Sequence, residues 1–228
     1  MKKPTNRYAI IVAGGSGTRI GSALPKQFLN VQNKPIIVHT LEKFIAASPE
    51  IQCIIALPEA YFSLWENISQ QYNLQHIPYC KGGKSRFESV KNALNTLNDS
   101  SENTLVAVHD SVRPFVTPQL IAQCFEAAEK WNAIIPVISP NDSLRQIENE
   151  KSWSVNRNNF RIVQTPQCFK LHLLKKAYLQ AESPLFTDDA SVVEAAGHTI
   201  HLIEGLRENI KITQTFDLLL AAFIANTH

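Results

Sequence analysis

The sequence predicts an α/β fold, a mostly parallel sheet with helices on both faces. Three observations predict it. Short β-rich runs alternate with stretches of helical periodicity up to Pro140. The helical stretches carry their own start and stop signals. Loops bearing glycines or charges follow the strands, as expected where parallel strands deliver their carboxyl ends to one edge.

Taken in order, Tyr8–Val12 reads as a buried strand, and Gly14, Gly15 and Gly17 turn the chain after it. Pro35–Ala47 has apolar residues at helical spacing and stops at Ser48-Pro49. Ile51–Leu57 is the next strand and Glu59–Tyr72 the next helix. His76–Cys80 is strand-like, Gly82-Gly83 turns, and Ser85–Leu97 is helical. Leu105–Val108 is a strand leading into HDSVRPF. Thr117-Pro118 starts a helix, with threonine as N-cap and proline at the first helical position. Trp65 and Trp131 fall on helix faces as packing residues, and Ala133–Ile138 is another strand.

The rhythm breaks after Pro140. Residues 141–159 are polar and alternating (SLRQIENEKSWSVNR), too hydrophilic to bury much of themselves, and are expected to form a protruding β-hairpin arm. Trp153 and Val155 point to a partner surface on it. Phe160–Thr165 returns to strand, Leu171–Ala181 and Asp188–Ala196 are helical, and Gly197 closes the second helix. His198–Glu204 and Asn209–Thr213 complete the sheet, and Phe216–Ala225 is a terminal helix. The whole reads as a Rossmann-like sheet with a β-arm.

Bulk properties narrow the function. The 228 residues carry a formal charge of +2 and contain no Lys/Arg-rich block, which argues against a nucleic-acid partner. No apolar run approaches membrane-spanning length, and MKKPTNRYAI lacks a signal-peptide core. Cys53, Cys80, Cys124 and Cys168 are scattered without a CxxC pair and read as reduced, buried thiols of a cytoplasmic protein.

The chemistry lies after the strands. AGGSGTR, GGKSRFES, HDSVRP, TPQ and NIKIT bring glycines, cations and one aspartate to one sheet edge. The first loop suits a phosphate, since glycines let backbone N–H groups approach its oxygens and Arg19 and Lys26 add charge. Neither common pattern fits: Gly17 is followed by Thr18 rather than lysine, and Ile20 stands at the third glycine position of the dinucleotide fingerprint. A mobile loop with solvated cations is the alternative. Gly83, Lys84 and Ser89 either clamp a nucleobase or form a turn and cap. Asp110 and Arg113 are either a structural ion pair or pocket groups. His109 reads as packed in the sheet, and Asp188-Asp189 as a helix cap. There is no nucleophile elbow, no paired carboxylates at helix spacing and no His/Cys metal set. Chemistry suited to cations without a base needs a nucleophile that is already ionised. A phosphate monoester attacking a nucleoside triphosphate qualifies, because its second pKa is about 6.

AGGSGTRIG…PKQF, GGKSRFESV, HDSVRPF, QTPQCF, TDDASVVEAAG and ENIKIT occur in the order of the 2-C-methyl-D-erythritol 4-phosphate cytidylyltransferase family, which the chain resembles over nearly its whole length. The resemblance implies transfer of CMP from CTP to methylerythritol phosphate, with release of pyrophosphate, in non-mevalonate isoprenoid synthesis. It also implies one nucleotidyltransferase domain over residues 1–228 and a Mg²⁺ ion seated chiefly among triphosphate oxygens, with no protein ligand set assigned to it. Arg19 and Lys26 would stabilise the pentacoordinate phosphorus. Ala13, Gly14, Gly15, Ser16, Gly17, Gly83, Lys84, Ser89 and Ser111 would contact CTP, and Asp110, Thr165 and Lys211 the methylerythritol phosphate. The arm would exchange within a homodimer, carrying Arg157 and Ser143 to the partner's site. Thr18, Ser143 and Asn156 depart from many members, which have Arg, Thr and Asp there. The rivals are a ribitol 5-phosphate cytidylyltransferase, a nucleotide sensor without catalysis, and a sugar-nucleotide pyrophosphorylase.

Overall fold

The computed structural model describes residues 5–14 and 24–227. β1 (Arg7–Val12), β4 (Ile51–Leu57) and β6 (Leu105–Asp110) run parallel at the centre of the main sheet, with β1 in the middle. These strands are apolar on both faces, and the structure shows why. Ala9 and Ile11 of β1, with Ile55 and Leu57 of β4, enter one core cluster, while Ile10, Val12, Ile54 and Ala56 enter the other. A strand covered on both sides has no solvated face to mark with polar residues.

The first cluster is closed by α1 (Ile36–Ala47), α2 (Phe62–Gln71) and α4 (Pro118–Trp131), through Phe44, Trp65 and Phe125 among others. The second is closed by α3 (Arg86–Thr96), α5 (Leu171–Ala177) and α6 (Asp189–Ala195). Each large side chain fully withdrawn from water contributes about 1.5–3 kcal/mol. Caps fix where the helices begin. Ser85 and Thr117 accept N–H groups three residues on, and Asp188 and Ser191 form a reciprocal capping box before α6.

The rest of the sheet is mixed. β5 (Tyr79–Lys81) extends it parallel beside β4. On the other side, β11 (Gln167–Lys170) lies antiparallel between β6 and β7 (Ala133–Ile138). β10 (Ile162–Val163) also pairs antiparallel with β7, and β12 (His201–Glu204) pairs parallel with it. The expected strand over Phe160–Thr165 is confined to Ile162–Val163, and a second strand that the sequence did not announce, β11, follows the cis Thr165–Pro166 bond. The second, QCFK, runs straight into α5 without a turn signal, which hides it in the sequence.

Asn209–Thr213 is the clearest departure, because it forms no strand. Its backbone meets the rest of the chain at Ile212 N–H, which donates to Val112 O at 2.9 Å, and at Asn209 O, which accepts Arg113 NH1 at 2.8 Å. Side chains pin it instead. Ile212 inserts into a small cluster with Val112 and with Val31 of β2 (Asn30–Val31), which pairs with β3 (Lys34–Pro35). Asp217, at the start of α7 (Thr215–Thr227), accepts from Thr213 N at 2.7 Å and Gln214 N at 2.8 Å.

Trp65 packs inside as expected, but Trp131 ends α4 largely exposed and stacks on His201 with ring centroids 4.4 Å apart. All four cysteines are free; three are buried, and Cys80 is half-buried. No helix among the described residues is long and apolar enough to cross a membrane.

The arm has the expected form. β8 (Arg145–Glu148) and β9 (Lys151–Ser154) pair antiparallel, with every residue exposed. Asn149 and Glu150 both have positive φ (46° and 66°), which matches the twist of a two-residue hairpin turn.

Candidate active site

The carboxyl ends of β1 and β6, with the turn that follows β5, open on a cavity of about 290 Å³. PKQF places its cation there. Pro25 leads into a single 3-10 turn over Lys26–Phe28. Gln27 is buried and donates its Nε2 to Ala13 O at 2.7 Å, while Phe28 packs in the core. Two anchors thus leave Lys26 on the cavity wall. Gly14, Lys84, Asp110, Ser111 and Lys211 line the same space.

A second cavity of about 210 Å³ adjoins it and shares Arg86, Asp110 and Lys211. Thr165, Arg113, Gln164 and Thr187 complete much of its wall. Asp110 therefore borders both spaces. Its Oδ2 accepts from Lys211 Nζ at 2.9 Å and Arg113 Nε at 3.4 Å, and its Oδ1 from Arg86 Nε at 3.5 Å. Burial alone would raise the Asp110 pKa. Arg86, Lys211 and Arg113 outweigh that and hold the carboxyl far below the usual range, so it is an anion at any working pH.

Behind Asp110 lies a buried relay. His109 Nε2 meets the carbonyl of Arg113 at 3.2 Å, so it must carry the proton. Nδ1 then accepts from Thr165 Oγ1 at 3.1 Å, and that hydroxyl accepts Asp110 N–H at 3.1 Å. Burial pushes His109 down to about 3, and its ring meets Phe44 edge-on at 5.1 Å. His109 is packed in the sheet, as the sequence suggested, and it orients the aspartate's strand end.

The expected residues separate into groups. Lys26, Gly14, Lys84, Ser111, Asp110 and Lys211 come together, and Thr165 joins from the second cavity. Three others sit close by but are spent on the scaffold. Ala13 N–H donates to Ala56 O at 2.8 Å. Ser89 Oγ accepts Gly83 N–H at 3.0 Å and donates to Ser85 O at 2.8 Å. A Cβ on Gly83 would stand 2.1 Å from that of Glu88, so the turn tolerates only glycine against the first turn of α3. Gly15, Ser16, Gly17 and Arg19 lie outside the described residues. Ser143 and Arg157 are exposed in the arm and line neither cavity of their own chain. Arg157 donates to Asn141 O, and Asn156 Oδ1 caps the turn that carries it by accepting Asn158 N–H at 3.1 Å.

Arg86 and Asn209 were not singled out by the sequence. Arg86 opens α3 directly after the glycine turn, and a cation in the string GGKSR was the available signal. Asn209 is fully buried, donates to Thr165 O at 2.9 Å, and receives Arg113 NH1 on its own carbonyl at 2.8 Å. No group of three or more His, Cys, Asp or Glu among the described residues could hold a metal ion.

Comparison with known proteins decides what this edge belongs to. The family model for 2-C-methyl-D-erythritol 4-phosphate cytidylyltransferase (IspD) matches residues 8–227. The chain belongs to this family. A cytidylyltransferase relative named for that activity in Bacteroides thetaiotaomicron is 48% identical over 92% of this chain and 94% of its own length. One from Porphyromonas gingivalis is 40% identical over 96% of this chain and 97% of its own. The solved synthase from Anaerococcus prevotii superposes with a TM-score of 0.83 at 28% identity, covering 97% of this chain and 99% of that one. The cytidylyltransferase from Thermus thermophilus gives 0.77 at 31% identity, covering 98% and 100%. These relatives carry the name of the methylerythritol phosphate enzyme, as the resemblance implied, rather than that of its ribitol phosphate counterpart.

Proposed function

We propose that the chain transfers the cytidylyl group of CTP to the phosphate of 2-C-methyl-D-erythritol 4-phosphate, releasing pyrophosphate. Family membership supports the reaction. The observation that carries it in this molecule is Asp110, an anion clamped by three cations on the border of two cavities, one of them faced by Lys26 and Lys84. The first cavity would take the nucleotide and the second the polyol phosphate.

The reaction needs no protein base. The acceptor's phosphate is mainly a dianion at neutral pH, its second pKa being about 6. One of its oxygens attacks the α-phosphorus of CTP, a P–O bond forms to the acceptor, and the bond to the pyrophosphate oxygen breaks with its electron pair leaving on pyrophosphate. Negative charge grows on the phosphoryl oxygens, and fixed cations offset it. Lys26 and Arg19 take that role. Gly14 to Gly17, Lys84 and Ser111 hold the nucleotide, with Ala13, Gly83 and Ser89 shaping the loops around it. Asp110, Thr165 and Lys211 hold the acceptor.

Mg²⁺ would arrive with the triphosphate as part of the substrate. A small hard cation prefers oxygen donors and keeps several waters, commonly with phosphate oxygens. Asp110, whose oxygens face three cations, is a poor additional ligand.

The arm is assigned to a homodimer. Ile147 at 75% exposure and Trp153 at 39% are apolar groups on a hairpin too thin to cover them. Arg157 and Ser143 would enter the site of the partner protomer and complete the grip on the acceptor phosphate. Four unpaired thiols suit a cytoplasmic setting.

The test is direct. Incubated with CTP, Mg²⁺ and methylerythritol phosphate, the protein releases pyrophosphate. Faster release with ribitol 5-phosphate, or none with either acceptor, overturns the assignment.

A further inference from the structure

Arg86 has two carboxylate neighbours and meets them unequally. Its NH2 donates to Asp189 Oδ2 at 2.6 Å, whereas its Nε reaches Asp110 Oδ1 only at 3.5 Å. The first is a strong charge-assisted bond and the second is at the limit of one.

Three separate elements build the stronger contact. Arg86 opens α3, Asp189 opens α6, and Tyr178 caps α5. Asp189 is fully enclosed, and its Oδ1 accepts the Tyr178 hydroxyl at 2.6 Å. The Tyr178 ring stacks on Phe87, the neighbour of Arg86, with centroids 4.6 Å apart. Burial, with Asp189 adding to it, raises the phenol pKa well above its ordinary value, so Tyr178 remains a donor. Both Asp189 oxygens are thus engaged, and Asp189 lines neither cavity. A buried anion of this kind acts on the site through Arg86.

The consequence falls on Asp110. Among the described residues, its Oδ2 is occupied by Lys211 and Arg113, and its Oδ1 has only the long contact to Arg86. Oδ1 is therefore the oxygen with acceptor capacity to spare. An untethered guanidinium beside a buried carboxylate closes to a bidentate pair and takes up that capacity.

We propose that Asp189 and Tyr178 are positioning residues that hold the Arg86 guanidinium back from Asp110, leaving Asp110 Oδ1 open to a hydroxyl of the acceptor substrate. The inference rests on the function proposed above and adds two residues to it. The tether bears on the acceptor more than on the nucleotide: Arg86 and Asp110 border both cavities, but Lys26 and Lys84, which face the first cavity and not the second, stand outside the chain of contacts from Tyr178 to Asp110.

Asp189→Asn tests it. The side chain keeps its shape and can still accept from Tyr178, but it loses the charge that draws Arg86. The expected result is a rise of about tenfold or more in KM for methylerythritol phosphate, with CTP affinity kept within about threefold. Tyr178→Phe removes one of the two holders and shifts the acceptor KM in the same direction by about threefold. A purely structural role would lower the melting temperature and weaken both substrates together. An unchanged acceptor KM in folded Asp189→Asn, or an equal loss for both substrates, overturns the tether. If that variant fails to fold, the same criteria applied to Tyr178→Phe decide. Wild-type turnover is measured in the same assay. Its absence counts against the proposed reaction and the tether's purpose, whereas wild-type turnover with an unchanged variant KM counts against the tether alone.

Discussion

Asp110 and Arg157 are both assigned to the acceptor, yet they stand at opposite extremes of the molecule. Asp110 is 6% exposed, fixed by three cations and backed by the His109–Thr165 relay. Arg157 sits on an exposed 3-10 turn at the base of a hairpin and, among the described residues, bonds only to the arm's own backbone, at Asn141. The contrast separates two ways of placing charge. At the sheet edge, one chain's core fixes the groups before substrate arrives, which is what electrostatic stabilisation requires. In the arm no core is available, and under the proposed arm exchange rigidity would come from a second protomer.

The sharpest way to break that comparison is to remove a charge on the rigid side. Lys26 is held at the cavity by the Gln27 anchor and the packing of Phe28, so Lys26→Ala leaves the scaffold intact. We expect kcat to fall by about 100- to 1,000-fold, with CTP binding weakened much less. Single-turnover rates and nucleotide binding measured side by side check this. Equal losses in both would make Lys26 a binding group rather than one that acts on the transition state.

A smaller effect is expected in the arm. Arg157→Ala raises the acceptor KM by about tenfold, the worth of one charged hydrogen bond, and leaves CTP binding unchanged. Replacing residues 141–159 with a short Gly/Ser loop gives a monomer with the same defect, read by light scattering and kinetics. A truncated protein that stays dimeric and fully active would show that the arm has no part in the site.

What could be read from sequence follows the same division. The central strands were legible because burial on both faces leaves unbroken apolar runs, as in IIALPEA's first residues and LVAV. Helix starts were legible where a side chain caps, at Ser85, Thr117 and Asp188. The arm was legible by its poverty in apolar residues. QCFK was lost because four residues between a proline and a helix carry no period of their own. Asn209–Thr213 was mistaken for a strand because Ile210 and Ile212 alternate with polar residues, while only Ile212 among them pairs its N–H with Val112 and fills a cluster. Of the site, Asp110, Lys26 and Lys211 were visible as charges at strand ends. Arg86 was overlooked because its meaning lies in Asp189 and Asp110, which are 103 and 24 positions away.

The smallest effect concerns the buried support behind Asp110, and it is read by pH. Burial depresses the folded His109 pKa to about 3, from an ordinary value of 6.5. Between those limits the unfolded chain binds a proton that the folded chain refuses, so stability falls as pH falls. The contribution is complete above pH 6.5 and is lost progressively toward pH 3. By pH 5 the loss amounts to about 2 kcal/mol. Urea unfolding of wild type and His109→Gln at pH 7 and pH 5 isolates it, because the other titrating groups are common to both. The variant starts less stable at pH 7 but loses about 2 kcal/mol less on acidification. Parallel losses in the two proteins would mean that His109 is charged or open to water in the folded state. In that event the Nε2–H tautomer that orients Thr165 and the Asp110 strand end is not the one present, and the rigid half of the comparison loses its foundation.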